Sequence, residues 1–234
     1  MRTPGDDIEL VRGFLHSEGI IQDRTFHPDE ILRKENDNGV VTMVELSIPE
    51  DKLGEGYSNS RSLLSVSSCG ICGRKELNEL SFMGKVIDED KQIHISTIEK
   101  LFEQMNQRQS AFKQSGGSHA AAAFTLNGKM LASREDIGRH NAVDKVVGDL
   151  VLNDNLKEAA VLTVSGRISY EIIVKAFKAR MSVLCAVSAP SSLAVDYAKE
   201  LGISLMAFCR GDRATCYSHP ERINDSNKQM NQVG

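Results

Sequence analysis

The chain has 234 residues, 41% hydrophobic and 26% charged, with a formal net charge of -4, a composition that excludes the disordered and membrane classes and leaves room for one large domain or two small ones. A net negative chain carries no general nucleic-acid footprint, so any anion-binding surface has to come from locally placed arginines. No charged segment followed by an apolar run opens the chain, and no apolar stretch approaches the roughly 20 residues of a membrane span, so a cytoplasmic protein is expected.

Thr3-Pro4, followed by Asp6 and Asp7, has the form of an N-cap, a proline at the first helical position and acids in the first turn. Ile8, Val11, Phe14 and Leu15 then recur at helical spacing up to Gly19. Residues 31–35 and 40–48 flank Asn36-Asp37-Asn38-Gly39, and the alternation of Thr42, Val44, Leu46 and Ile48 predicts a hairpin. Residues 49–62 lack periodicity and read as a loop leading to Ser67-Ser68-Cys69-Gly70-Ile71-Cys72-Gly73-Arg74. Two cysteines among glycines and serines predict a mobile thiol pair. Arg74 and Lys75 are placed to favour the thiolate, the reactive form.

Ser96-Thr97-Ile98-Glu99 is a capping box, and Ile98, Leu101, Phe102 and Met105 predict a helix over 97–112. Ser115-Gly116-Gly117-Ser118 breaks it. Residues 120–126 and 129–133 surround Asn127-Gly128, a strong hairpin signal. Val143, Val146, Val147, Leu150 and Val151 mark the next helix. Strands over 159–165, 182–188 and 203–210 then alternate with helices over 170–180 and 193–201, which implies parallel pairing with right-handed crossovers. The fold class is therefore α/β. Its expected organisation is a small N-terminal α+β domain (1–62), a loop and connector with the thiol pair (63–95), a ligand-binding domain (96–223) and a disordered polar tail (224–234).

In open parallel sheets ligands bind beyond the carboxyl ends of the strands. Those ends here are Ser165-Gly166-Arg167, Ser188-Ala189-Pro190-Ser191-Ser192 and Phe208-Cys209-Arg210-Gly211-Asp212-Arg213. Any single junction is explained by turns and caps. Three on one edge, two with arginine, point to a phosphorylated or nucleotide ligand. His119 and His140, the latter beside Arg139, are candidate ligand contacts or proton donors, although a lone histidine is more often satisfied locally. The five cysteines are an odd number in a chain of this size, which argues for reduced thiols over a secreted disulfide framework. Cys185 reads as core and Cys209 as ambiguous, and Cys216 is given no role.

The order helix, hairpin, helix, strand, helix, strand, helix, strand resembles a cytidine deaminase-like core. A zinc deaminase needs His-x-Glu or Cys-x-Glu after the hairpin and Pro-Cys-x-x-Cys at the next junction. The chain has Arg139-His140-Asn141 and Ser165-Gly166-Arg167 there, so deamination is excluded. Cys69-x-x-Cys72 alone lacks the four ligands of structural zinc, unless a dimer supplies two pairs, and no zinc is expected. It also fits a thioredoxin motif poorly, since it follows a loop.

Met1-Arg2-Thr3-Pro4-Gly5, the run from Gly13 to Gly19, Cys69-Gly70-Ile71-Cys72-Gly73, Ser115-Gly116-Gly117-Ser118-His119-Ala120, the run from Asp136 to Lys145, Ser165-Gly166-Arg167 and Phe208-Cys209-Arg210 together resemble the formate dehydrogenase accessory sulfurtransferases (FdhD/NarQ) over nearly the whole chain. The resemblance implies a deaminase-like fold put to another use. A homodimer would take persulfide sulfur from a cysteine desulfurase and pass it to the molybdenum or tungsten bis(guanine dinucleotide) cofactor, its substrate, before that cofactor enters the formate dehydrogenase catalytic subunit. By position it places the persulfide on Cys69, with Cys72 as an assisting or resolving thiol. The guanine dinucleotide end, which a guanine nucleotide would mimic, falls on Phe208, Cys209, Arg210, Gly211, Asp212 and Arg213. His119, Arg139 and His140 are further candidate contacts. The resemblance implies that family chains usually carry a segment before Met-Arg-Thr-Pro-Gly, with which this sequence opens, and often threonine where it has Ser115. A non-catalytic cofactor chaperone and a redox switch remain as alternatives.

Overall fold

The structure, a computed structural model, describes residues 1–21, 23, 26–35, 39–54, 56, 57, 85–211, 213–225 and 230–232. The first helix, α1 (Asp7–Ser17), starts later than Thr3-Pro4 predicts, with Asp6 at the N-cap in the left-handed region and no side-chain cap. Thr3 is engaged elsewhere. Its N–H donates to Asp136 Oδ2 at 3.0 Å, its Oγ1 accepts from Ile137 N at 2.9 Å, and its carbonyl accepts from Lys145 Nζ at 3.1 Å. The capping groups are spent on the start of a distant helix, so they cannot cap their own.

The expected hairpin forms from β1 (Asp29–Glu35) and β2 (Val41–Ser47), paired antiparallel. After β3 (Ile93–His94), the single helix predicted over 97–112 is two, α2 (Ile95–Gln107) and α3 (Ser110–Ser115). The N-cap of α2 is His94, whose Nδ1 accepts from Ser96 N at 3.2 Å. The break frees the first N–H groups of α3, and the Glu135 carboxylate takes Ala111 N and Phe112 N at 2.8 Å each. A carboxylate on a helix N-terminus satisfies orphan donors and the dipole together.

Asn127-Gly128 joins β4 (His119–Phe124) to β5 (Met130–Asp136), with Gly128 at φ 81°. The chain continues through α4 (Arg139–Leu152), β6 (Val161–Val164), α5 (Tyr170–Lys178), β7 (Val183–Ala186), α6 (Ser192–Leu201), β8 (Ser204–Arg210), β9 (Arg213–Ser218), β10 (Ile223–Asn224) and β11 (Met230–Gln232). The main sheet is mixed, in the order β11-β9-β8-β7-β6-β4-β5. Strands β6, β7 and β8 are parallel, while β4 is antiparallel to both its neighbours and β8 to β9. Every residue of β6 and β7 is buried, as expected for strands covered on both faces. Helices α4, α5 and α6 cover one face with Ala121, Ala123, Leu162 and Leu184. Helix α2 covers the other with Ala120, Ala122, Phe124, Cys185 and Met206. In the segment expected to be a disordered tail, Met230–Gln232 adds a strand parallel to β9. An edge strand gains backbone hydrogen bonds whatever its side chains, so polar composition does not exclude it.

Helix α1 sits directly on α4. A Cβ built on Gly13 would lie 1.8 Å from the carbonyl oxygen of Asp144, and one on Gly148 would lie 1.8 Å from that of Glu9. The two backbones therefore touch, and only glycine at both positions permits it. Asp144 adds a polar clamp, accepting from Ser17 Oγ at 3.0 Å and from Lys175 Nζ of α5 at 2.6 and 2.8 Å. Among the described residues no helix is long and apolar enough to cross a membrane.

Candidate functional site

Parallel β6, β7 and β8 and antiparallel β4 bring the ends of the first three strands and the start of the fourth to one edge of the sheet. The junctions at 165–167 and 188–192 lie there, as do residues 208–211 and Arg213, where helix N-termini offer free N–H groups.

On the α2 face of this edge is a cavity of about 360 Å³. One wall is the β8–β9 turn, with Cys209, Arg210, Gly211, Arg213 and Ala214, and Val187 beyond β7 completes that side. The opposite wall is α2, with Ile98 and Phe102 as apolar surface and Glu99, Glu103 and Asn106 as polar groups. The turn is shaped by two positive φ angles, 54° at Phe208 and 56° at Gly211. For a bulky residue the left-handed region costs on the order of 1–3 kcal/mol and marks a place where surroundings dictate the backbone. Its effect here is to reset the alternation of β8. Cys209 would otherwise share the face of Leu205 and Ala207; it packs instead with Met206 on the α2 side, and Phe208 turns outward with its ring 6.5 Å from that of Tyr217. Arg210 donates Nε to Val187 O at 3.3 Å, bracing the turn against the end of β7. The cavity thus joins two cations, the apolar surface of Ile98 and Phe102 and two carboxylates, a combination suited to a phosphorylated base.

Cys185, Cys209 and Cys216 are free and buried behind this wall. The hydrogen bond that the Cys185 S–H donates to the neighbouring Cys209, together with complete burial, pushes the Cys185 thiol well up, and burial pushes Cys216 up to about 11. Cys185 and Cys216 are therefore held as thiols, the unreactive form. Cys185 is core, as its apolar strand predicts.

On the opposite face of the same edge, His119, Arg139, His140, Gly166, Arg167 and Ser169 converge. His119 lies on the side of β4 that carries Ala121 and Ala123. A Cβ on Gly166 would meet His119 Nδ1 at 3.2 Å and Arg139 Cβ at 3.3 Å, so this glycine lets ring and guanidinium stem close over the strand end. His140 Nε2 is 3.1 Å from Ser169 Oγ. Burial, then Arg139 and Arg167, lower the His119 pKa. Burial, then Arg139, lower His140 to about 4, with Lys175 and His119 adding to the fall and Glu171 opposing it. Both histidines are neutral at pH 7.

A pH dependence follows. The His140 pKa lies below its unfolded value of about 6.5, so the unfolded chain binds the extra proton between these values, and stability is full above about pH 6.5 and declines as pH falls toward 4. The contribution is bounded at about 3 kcal/mol from a shift of this size. Urea unfolding of wild type and His140→Gln between pH 4 and 7 checks it: the variant should show the shallower decline, and parallel curves exclude the effect.

Cys69 and Cys72 lie outside the described residues, as does Asp212. Of the remaining candidates, Cys209, Arg210, Gly211 and Arg213 line the cavity, Phe208 does not and instead lies exposed against Tyr217, and His119, Arg139 and His140 form the separate cluster across the sheet. The α2 wall was missed from sequence. Its signal was the i, i+4 acids Glu99 and Glu103 on an amphipathic helix, but nothing local ties them to residues 208–213. Among the described residues, no three His, Cys, Asp or Glu side chains converge as a metal-ligand set.

The model of the FdhD/NarQ family matches residues 1–224. The chain is 43% identical over 225 residues to a sulfur carrier protein FdhD of Saccharolobus solfataricus, covering 95% of this chain and 82% of that one. It is 40% identical over 236 residues to the sulfur carrier protein FdhD of Mycobacterium tuberculosis, covering 95% and 84%. A solved structure from Desulfotalea psychrophila, described as a formate dehydrogenase accessory protein, superposes with a TM-score of 0.72 at 23% identity, covering 96% of this chain and 82% of that one.

Proposed function

The chain belongs to the FdhD/NarQ family, and from that premise we propose that it is a sulfur carrier in the maturation of formate dehydrogenase, working as a cytoplasmic homodimer. On this reading Cys69 receives the terminal sulfur of a cysteine desulfurase persulfide, and the acceptor is the molybdenum or tungsten bis(guanine dinucleotide) cofactor. Release is balanced if the Cys72 thiol attacks Cys69: the Cys69–Cys72 disulfide forms, the terminal sulfur leaves as hydrosulfide with its electron pair, and a dithiol reductant resets the pair. The mixed sheet serves as a deaminase-like scaffold from which zinc chemistry has been lost.

The observation that carries the reading is the cavity. It lies at Cys209–Arg213, the segment the sequence singles out for the guanine dinucleotide, and holds Arg210 and Arg213 for phosphates, with Glu99 and Glu103 for base N–H groups. The unreactive state of Cys185 and Cys216 adds support, since it leaves the sulfur-carrying role to a thiol elsewhere.

Incubation with an active cysteine desulfurase and cysteine should add one sulfur to the Cys69 peptide by mass spectrometry, and calorimetry should show GDP binding that Arg210→Ala with Arg213→Ala weakens at least tenfold. No adduct on Cys69, or full formate dehydrogenase activation by Cys69→Ala in a complemented strain, would replace the carrier by a non-catalytic chaperone. GDP binding indifferent to both arginines would mean that the cavity does not hold the guanine nucleotide.

A further inference from the structure

The cluster across the sheet from the cavity has features that folding alone does not require. Among the described residues Arg139 Nε is buried with no hydrogen-bond partner, and so is Glu171 Oε2 at the start of α5. Each such atom costs about 1–3 kcal/mol unless something meets it. Arg139 opens α4 and Glu171 lies in the first turn of α5. Among the described residues nothing gives either helix a side-chain cap, although each has eight or more residues and so a developed N-terminal dipole. Arg167 stands exposed between them at the end of β6, close enough to lower the pKa of His119. Cations are thus gathered around two histidines held neutral, and Glu171 opposes them only in part, since its effect on His140 is smaller than that of Arg139. Lys175, the other nearby cation, is already bound to Asp144.

We propose that Arg139, Arg167, His119 and Ser169, with the N-termini of α4 and α5, form a second anion site that takes a phosphate or diphosphate group. It lies on the α4–α6 face, so it is separate from the cavity on the α2 face. The bound group accepts from the waiting Arg139 Nε and from Arg167, Ser169 donates to it, and Gly166 keeps the strand end low enough for its oxygens to approach. A monoprotonated phosphate offers its O–H to Glu171 Oε2, so both orphan atoms find partners in one ligand. His140 is the reporter: an anion there opposes the field that keeps it neutral.

The test uses the full chain carrying Arg210→Ala and Arg213→Ala, which removes the cavity's cations, so that the result is independent of the guanine reading. Inorganic pyrophosphate should bind this protein saturably by calorimetry, and Arg167→Gln added with Arg139→Gln should weaken it at least tenfold. In the same host, NMR titration of the His140 imidazole should show its pKa rise by about one unit or more when pyrophosphate is bound, a change that electrostatic contact with an anion produces. Because Arg167 is exposed, Arg167→Gln alone keeps the fold and should already weaken binding severalfold. Absence of saturable binding, or binding indifferent to Arg139 and Arg167, overturns the site. GDP affinity of the native chain, measured separately, tells whether the cavity reading fails or stands on its own.

Discussion

Alanine at Gly148, or at Gly13, is expected to destabilise the fold by at least about 3 kcal/mol, near the upper end for a single methyl group. The reason is geometric. The added Cβ lies 1.8 Å from a backbone carbonyl oxygen of the facing helix in each case, and 2.8 Å from the facing backbone nitrogen. A flexible side chain could swing away, but a helix backbone cannot. Helices α1 and α4 must separate by more than an ångström, which loosens Asp144 from Ser17 and opens the contact between them. For a chain of this length the melting temperature should fall by roughly 6–12 °C. The double variant should cost far less than the sum, because a pair of helices already parted accommodates the second methyl group. Gly117→Ala is the control: its Cβ would meet nothing nearer than 3.9 Å, and its φ is not in the left-handed region. Chemical denaturation of the four variants against wild type settles the point, and additive losses at Gly13 and Gly148 would contradict a shared contact.

That contact shows where sequence reading stops. Each strand and helix between Val161 and Arg210 was legible, because apolar runs separated by amphipathic helices carry their own periodicity. Asn127-Gly128 was legible because a tight turn that ends on a left-handed glycine is local chemistry. Gly13 and Gly148 were not, since their meaning lies in each other and 135 positions separate them. Thr3 fails for the same reason: it looks like a cap, but Asp136 and Lys145 take its polar groups from across the chain. The split of 97–112 into α2 and α3 depends on Glu135, which caps α3 from a different strand. At the candidate site, glycine and arginine at strand ends pointed to the edge, because any ligand there needs backbone approach and charge. The α2 wall and the opposite face of the edge appear only once the sheet order places them. Even the alternation of β8 misleads, as Phe208 in the left-handed region turns Cys209 to the other face.

Removing the Asp136 carboxylate should damage both stability and the anion cluster. Lys145 Nζ lies 3.0 Å from Asp136 Oδ2, with the side chains 1% and 0% exposed. Taking one partner from a buried ion pair leaves the other charge without solvent or partner, at about 3–5 kcal/mol. The two halves are not equivalent. Asp136 also accepts from Thr3 N at 3.0 Å, Gly138 N at 2.8 Å and Asn141 Nδ2 at 3.0 Å. Among the described residues Lys145 retains the Thr3 and Glu135 carbonyls alone, at 3.1 and 3.4 Å. Asp136→Ala should therefore cost more than Lys145→Met, and the double variant less than the sum of the two. The functional consequence comes from what Asp136 holds. Gly138 and Asn141 bracket Arg139 and His140, so losing both bonds frees the first turn of α4, where those side chains are aimed. Under conditions where Asp136→Ala remains folded, pyrophosphate affinity in the cavity-arginine host should fall at least tenfold. GDP affinity in the otherwise native chain should hold within twofold, because the cavity is built from α2 and the β8–β9 turn on the other face. Equal loss of both ligands would mean that the edge responds as one unit, and that the two faces do not bind independently.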